Sequence, residues 1–95
     1  MLYVPIKPEP YQNLQVVLNK QNCNITIRLI GDNLYFSLNV NDVDYVTNKI
    51  CRHGASLVTA KYLGFNGDFV FIDLYGNSDP NYLELNERYF LVYVG

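Results

Sequence analysis

The chain has 95 residues, 49% of them hydrophobic, with seven basic and nine acidic side chains and a net charge of −2. That length makes one domain, residues 1–95, which buries about 60–65% of the surface its unfolded chain exposes, and the composition excludes a disordered segment or a disulfide-stapled mini-domain. Lys7, Lys20, Arg28, Lys49, Arg52, Lys61 and Arg88 are scattered rather than striped, so no basic groove for a phosphate backbone is written into the charge pattern.

Leu2-Tyr3-Val4-Pro5-Ile6 reads as a short strand, and Pro5, which lacks an N–H donor, assigns it to a sheet edge. Lys7-Pro8-Glu9-Pro10 follows as a stiff extended connector. From Asn13 the period is two: Leu14, Val16 and Leu18 share one face, Gln15 and Asn19 the other, with Val17 interrupting the polar side. After the turn-rich Asn19-Lys20-Gln21-Asn22, the residues Cys23, Ile25, Ile27 and Leu29 alternate with Asn24, Thr26 and Arg28, which predicts a hairpin. Gly31-Asp32-Asn33 is a tight turn. Leu34, Phe36, Leu38 and Val40 then oppose Tyr35, Ser37 and Asn39, extending the hairpin to a meander.

Asn41-Asp42 is a further turn. In the next stretch Val43, Val46 and Ile50 have helical spacing, whereas Val43 and Tyr45 have strand spacing; β-branched content tips residues 43–50 toward strand. Cys51 to Ala60 has the weakest pattern and reads as loop with a helical turn, and Leu57 to Leu63 fits either a short strand or a helical turn. Phe65-Asn66-Gly67-Asp68-Phe69 carries the Asn-Gly hairpin signal. Phe69 to Tyr75 is apolar on both faces apart from Asp73, and Tyr89 to Val94 is apolar on both faces throughout. Such strands are central or covered twice, so the two together are expected at the sheet centre. Between them lie the turn cluster Gly76 to Asn81 and a short helical turn at residues 84–87. About seven short strands spaced near ten residues predict an all-β domain, a small antiparallel barrel or sandwich.

Catalytic chemistry has little to stand on. Cys23, Cys51 and His53 lack the spacing of a zinc arm, and Cys51 with His53 lacks a third orienting group and an oxyanion site, so neither a metal nor a nucleophile is assigned. The glycines match no nucleotide fingerprint, and no cofactor is called for. Asp73, inside an apolar strand, needs a partner, and Arg28 or Arg88 can provide it. A bridge between Cys23 and Cys51 is not indicated. The first residues lack a charged and then apolar leader, and no apolar run is long enough to span a bilayer, so the chain is expected in a reducing cytosol or in a particle assembled there. Asn24-Ile25-Thr26 is then a chance sequon. Nine tyrosines exceed what so small a core can hold, which argues for contacts with other proteins. Tyr35, Tyr75 and Tyr93 are the residues that would form a base-stacking platform.

The order of Val4-Pro5-Ile6, the run Tyr11 to Leu18, Asn24-Ile25-Thr26-Ile27-Arg28-Leu29, Leu34-Tyr35-Phe36-Ser37-Leu38, Tyr62-Leu63-Gly64-Phe65-Asn66-Gly67, and Asp79 to Leu85 followed by Arg88 to Tyr93 resembles the small baseplate plug proteins of contractile-tailed bacteriophages and prophages. The resemblance runs along nearly the whole chain. Where that family commonly has Gly after the leucine matching Leu85, this sequence has Asn86, which tolerates the left-handed conformation. The resemblance implies a non-enzymatic virion part in or near the central hub that helps close the tail channel before contraction. It would be held by hub and tail proteins, located in the tail baseplate and, during assembly, in the host cytoplasm, with no membrane partner and with self-association open. Two elements are the expected contacts: the aromatic hairpin with Tyr62, Phe65 and Asn66, and the turn with Tyr75, Asp79 and Tyr82. The alternatives are a small barrel binding single-stranded nucleic acid, disfavoured by the missing basic groove, and a small enzyme using Cys51 and His53.

Overall fold

The alternations above become strands in the computed structural model, in which residues 2–58 and 65–95 are described. Among the described residues seven strands form: β1 (Leu2–Tyr3), β2 (Tyr11–Leu18), β3 (Gln21–Ile30), β4 (Asn33–Val40), β5 (Val43–Ile50), β6 (Asp68–Asp73) and β7 (Tyr89–Val94). A single turn of 3-10 helix, Tyr82–Glu84, precedes β7. Two antiparallel sheets share one core, a four-stranded sheet in the order β2-β3-β4-β5 and a three-stranded sheet in the order β1-β7-β6.

Turn chemistry fixes the register of the meander. Asn19 and Lys20 both have positive φ (52° and 63°), as do Asn41 and Asp42 (50° and 66°). These are the two-residue turns whose twist suits a hairpin. They align Leu18 with Gln21 and Val40 with Val43. Gly31, at φ 62°, opens the third such turn and aligns Ile30 with Asn33. The period-two pattern then sends Ile25 opposite Leu38 and Ile27 opposite Phe36, all buried, while Asn24, Thr26, Ser37 and Asn39 line the outer face.

β5 is a strand, and its ambiguous spacing has a structural cause. Phe36 pairs with Lys49 but Leu38 with Val46, so β5 spends one extra residue there; Leu38 pairs with Val46 but Asn39 with Asp44, which adds a second. Each extra residue is a bulge that turns a spacing of two into three. Asn48 sits at one bulge with φ 47°, and its N–H donates to Ser37 Oγ at 2.9 Å.

The three-stranded sheet departs from expectation in one respect. β7 is its central strand, but β6 lies at its side rather than sharing the centre. The free side of β6 is taken by the segment that leaves β5: Cys51 N–H still donates to Leu34 O (2.9 Å), then Gly54 N–H donates to Phe71 O (2.9 Å) and Leu57 N–H to Phe69 O (3.0 Å). This segment links the edge of one sheet to the edge of the other, which explains why it has neither sheet nor helix periodicity. β1 ends at Tyr3 rather than Ile6, although Val4 N–H continues the ladder to Leu91 O (2.8 Å). β6 stops at Asp73 rather than Tyr75. Within Asn66-Gly67 the positive φ belongs to Gly67 (113°), so this pair is not a turn with both residues left-handed. The remainder of the expected hairpin, including Tyr62 and the end of the Leu57 to Leu63 stretch, lies outside the described residues.

An aromatic cluster joins the sheets: Tyr45 of β5, Phe69 of β6 and Tyr93 of β7 meet around Phe65, and Phe36 of β4 packs on Phe69, with centroid distances from 5.4 to 6.2 Å. At the open seam between β1 and β2 a side chain replaces main-chain pairing. Gln12, buried at 8% exposure, accepts Lys7 N–H at 2.9 Å and donates to Lys7 O at 2.6 Å.

Candidate functional site

Asp73 ends β6 on its core-facing side, opposite Tyr89. Its carboxylate accepts Arg88 Nε at 2.7 Å and Nη2 at 2.9 Å, the Tyr75 N–H at 3.0 Å and the Ser78 N–H at 3.0 Å. The Asp73 side chain is fully enclosed, and the guanidinium lies over the Tyr89 ring, 5.1 Å from its centroid. Hydrogen bonding to Arg88, reinforced by the two main-chain donors against the cost of burial, holds this carboxyl well below the usual carboxylate range. The same pairing raises Arg88. Of the two cations the sequence offers, Arg88 is the partner.

A second aspartate does similar work at the start of β6. Asp68 Oδ1 accepts Val58 N–H (2.9 Å) and Phe69 N–H (2.7 Å), and Oδ2 accepts the Ser56 hydroxyl. One strand thus carries a carboxylate at each end, and each pins an adjoining irregular segment through peptide N–H groups. No sequence periodicity announces this. The signal was the type and place of the residues, an acid at each boundary of an apolar strand.

The expected contact residues separate into two places. Tyr75, Asp79 and Tyr82 lie together on the loop after β6. Tyr75 is 77% exposed, Tyr82 is half-buried against the core, and Asp79 accepts Arg52 Nη1 at 3.0 Å and His53 N–H at 3.2 Å. Beside them a shallow groove is lined by Gly31, Asn33, Asp79, Pro80, Tyr82 and Leu83. Phe65 and Asn66 are at the other end of β6, about 17 Å of extended chain away. Phe65 is 6% exposed, so its ring is a core contact. Asn66 is exposed, while its main chain is bound at both groups, N–H to Gln21 Oε1 (3.0 Å) and C=O to Gln21 Nε2 (3.1 Å) and the Tyr93 hydroxyl. The two expected contact elements therefore lie at opposite ends of β6. Tyr62 lies outside the described residues.

No stacking platform is assembled from the three tyrosines considered for it. Tyr93 is 4% exposed in the core, Tyr35 is half-buried on the outer face of the four-stranded sheet, and Tyr75 is exposed on the loop after β6. Cys23 and Cys51 are both buried and free; burial pushes the Cys51 thiol up to about 12 and raises Cys23 as well. His53 Nδ1 is already occupied, accepting Asp73 N–H at 3.1 Å. Among the described residues no group of His, Cys, Asp and Glu could hold a metal ion. Among the described residues no helix is long and apolar enough to cross a membrane.

The two sheets turn different chemistry outward. The four-stranded sheet presents amides and hydroxyls, tied together by Asn13 Nδ2 to Asn24 Oδ1 (2.7 Å) and Thr26 Oγ1 (2.8 Å), and by Asn39 Nδ2 to Asp44 Oδ1 (2.9 Å). The three-stranded sheet turns outward the half-buried Val70, Ile72 and Phe90 and the exposed Val94, around a fully buried Val92, with the 60%-exposed Tyr3 against Phe90 (centroids 5.3 Å apart). This apolar outer face was signalled by β6 and β7 being hydrophobic on both sides. Strands of that pattern were expected to be central or covered on both sides; β7 is central and its outer Val92 is buried, while Val70, Ile72 and Phe90 stay half-buried.

The family model described as cyanophage baseplate Pam3 plug gp18 matches residues 1–95. The chain belongs to this baseplate plug family. It is an all-β structural component of a phage tail baseplate, and its family is structural rather than enzymatic. No match was found among curated proteins.

Proposed function

We propose that this plug protein docks in the central hub of the baseplate and helps close the tail channel before contraction, without turning over any substrate. The observation that carries the reading is the whole-length family match combined with where the apolar surface lies. A hydrocarbon face made of Tyr3, Val70, Ile72, Phe90 and Val94 is suited to cover by neighbouring baseplate proteins. The loop bearing Tyr75 and Leu83, held in shape by Asp73, provides a second contact. The protein would be made in the host cytoplasm and retained in the tail.

The test is genetic and structural. Particles assembled with Ile72→Lys or Phe90→Lys should lack the protein by mass spectrometry, and their tails should leak or fail to contract productively. Normal particles that contain none of this gene product would remove the proposal. A nucleic-acid reading has no specific observation in its favour.

A further inference from the structure

Sheet edges in this molecule are protected at three of four places. β5 carries two bulges and a left-handed Asn48, β6 is bonded by residues 54 and 57, and β1 is two residues long and followed by Pro5. These are recognised ways of preventing strand-to-strand association. Among the described residues, β2 has none of these three. Its eight residues pair with β3 without a register break, and Tyr11-Gln12-Asn13-Leu14-Gln15-Val16-Val17-Leu18 contains no proline and no charge.

The phase of the ladder says which groups are free. A two-residue turn makes Leu18 and Gln21 a hydrogen-bonded pair, and Leu29 N–H donating to Pro10 O at 2.7 Å continues the same phase. Gln12, Leu14, Val16 and Leu18 therefore point their peptide groups at β3, and Tyr11, Asn13, Gln15 and Val17 point theirs outward. All four of these residues are exposed, Tyr11 at 58% and Val17 at 66%.

We propose that β2 pairs antiparallel with β2 of a second copy, about a two-fold axis at Leu14. This strand is self-complementary in that register. Tyr11 meets Val17 of the second copy, an aromatic against a β-branched residue, and Asn13 meets Gln15 of the second copy, amide against amide. Leu14 meets its own counterpart on the core-facing side. Every outward peptide group of the four residues finds a partner, no like charges are opposed, and the two four-stranded sheets become one continuous sheet.

Sedimentation and light scattering of the full chain across concentrations test this, with hydrogen exchange on the same samples. A dimer is expected in which the amides of Tyr11, Asn13, Gln15 and Val17 are protected and lose that protection on dilution. Asn13→Lys/Gln15→Lys places like charges across the axis and should weaken the dimer at least about tenfold. Asn13→Glu/Gln15→Lys places opposite charges there and should keep it. Leu14→Cys should cross-link the two copies under mild oxidation. Circular dichroism checks that each variant is folded. A protein that stays monomeric at every concentration, or a dimer indifferent to the double lysine variant, overturns the proposal.

Discussion

Arg88 donates both Nε and Nη2 to the two oxygens of Asp73, closing a fork across the end of β6 and the start of β7. Since Asp73 is also bound by the N–H groups of Tyr75 and Ser78, the loop between the strands is shaped around one carboxylate.

Arg88→Met should therefore be among the most destabilising single substitutions, because it leaves an enclosed carboxylate without its counter-charge. The pH dependence follows from the direction of the shift. An ordinary aspartate titrates near 3.8, and this one is held lower in the folded state. The stability it contributes is thus fully present above the unfolded value and is lost as pH falls toward the folded one. Urea unfolding at neutral pH and in acid should show the gap between wild type and Arg88→Met shrinking as the solution is acidified below about pH 4. A gap that widens in acid contradicts the assignment.

Gly67 combines φ 113° with close approach, since a Cβ there would lie 2.6 Å from Tyr93 Cε1. Gly67→Ala should cost roughly 1–3 kcal/mol from backbone strain, with overpacking against the ring adding to it. Chemical denaturation measures the loss, and near-ultraviolet dichroism should report a changed tyrosine environment.

The bulge at Asn48 separates conformational from side-chain effects. With φ at 47°, Asn48→Gly should be close to neutral, whereas Asn48→Val should cost about 1–2 kcal/mol. Equal losses for both would mean that the Asn48 side chain, whose Oδ1 accepts the Ser37 hydroxyl at 3.4 Å, is what matters.

Both thiols are inaccessible in the folded protein, and Cys51 is pushed up to about 12 by burial. A bulky disulfide reagent at mildly alkaline pH should label neither cysteine until urea is added. Rapid labelling of Cys51 in the native protein would revive a nucleophilic role for it.

Tyr75→Ala and Leu83→Ala touch exposed side chains, at 77% and 62%, and should change stability by no more than about 0.5 kcal/mol. Under the proposed docking they should nevertheless lower the amount of protein recovered in assembled particles. Quantitative mass spectrometry of purified tails compares the two effects.

Much of the fold was legible in the sequence because β2, β3 and β4 alternate, with Val17 the interruption in β2, and are joined by turn residues that tolerate positive φ. β5 was harder because two bulges interrupt its period, so Val43, Val46 and Ile50 mimic a helix face. The position of β6 was misread because residues 53–57 bond its edge without any strand pattern of their own. Which apolar side chains are exposed was only partly legible. Turn tyrosines attract attention in a sequence, but exposure depends on tertiary placement, which buried Phe65 and Tyr93 and left Ile72 and Phe90 partly in solvent. The need of Asp73 for a cation was readable from burial chemistry alone, and the choice of Arg88 over Arg28 required knowing which strand lies next to β6.

The contrast between the outer faces of the two sheets gives this small body a wet flank and an oily flank. An object built that way is not free to sit in either of two orientations: its hydrocarbon side seeks a dry seat and its amide side stays in water. Under the proposed docking, assembly would acquire a direction from the protein itself, and swapping the characters of the two flanks should turn the part around in its socket rather than merely loosen it.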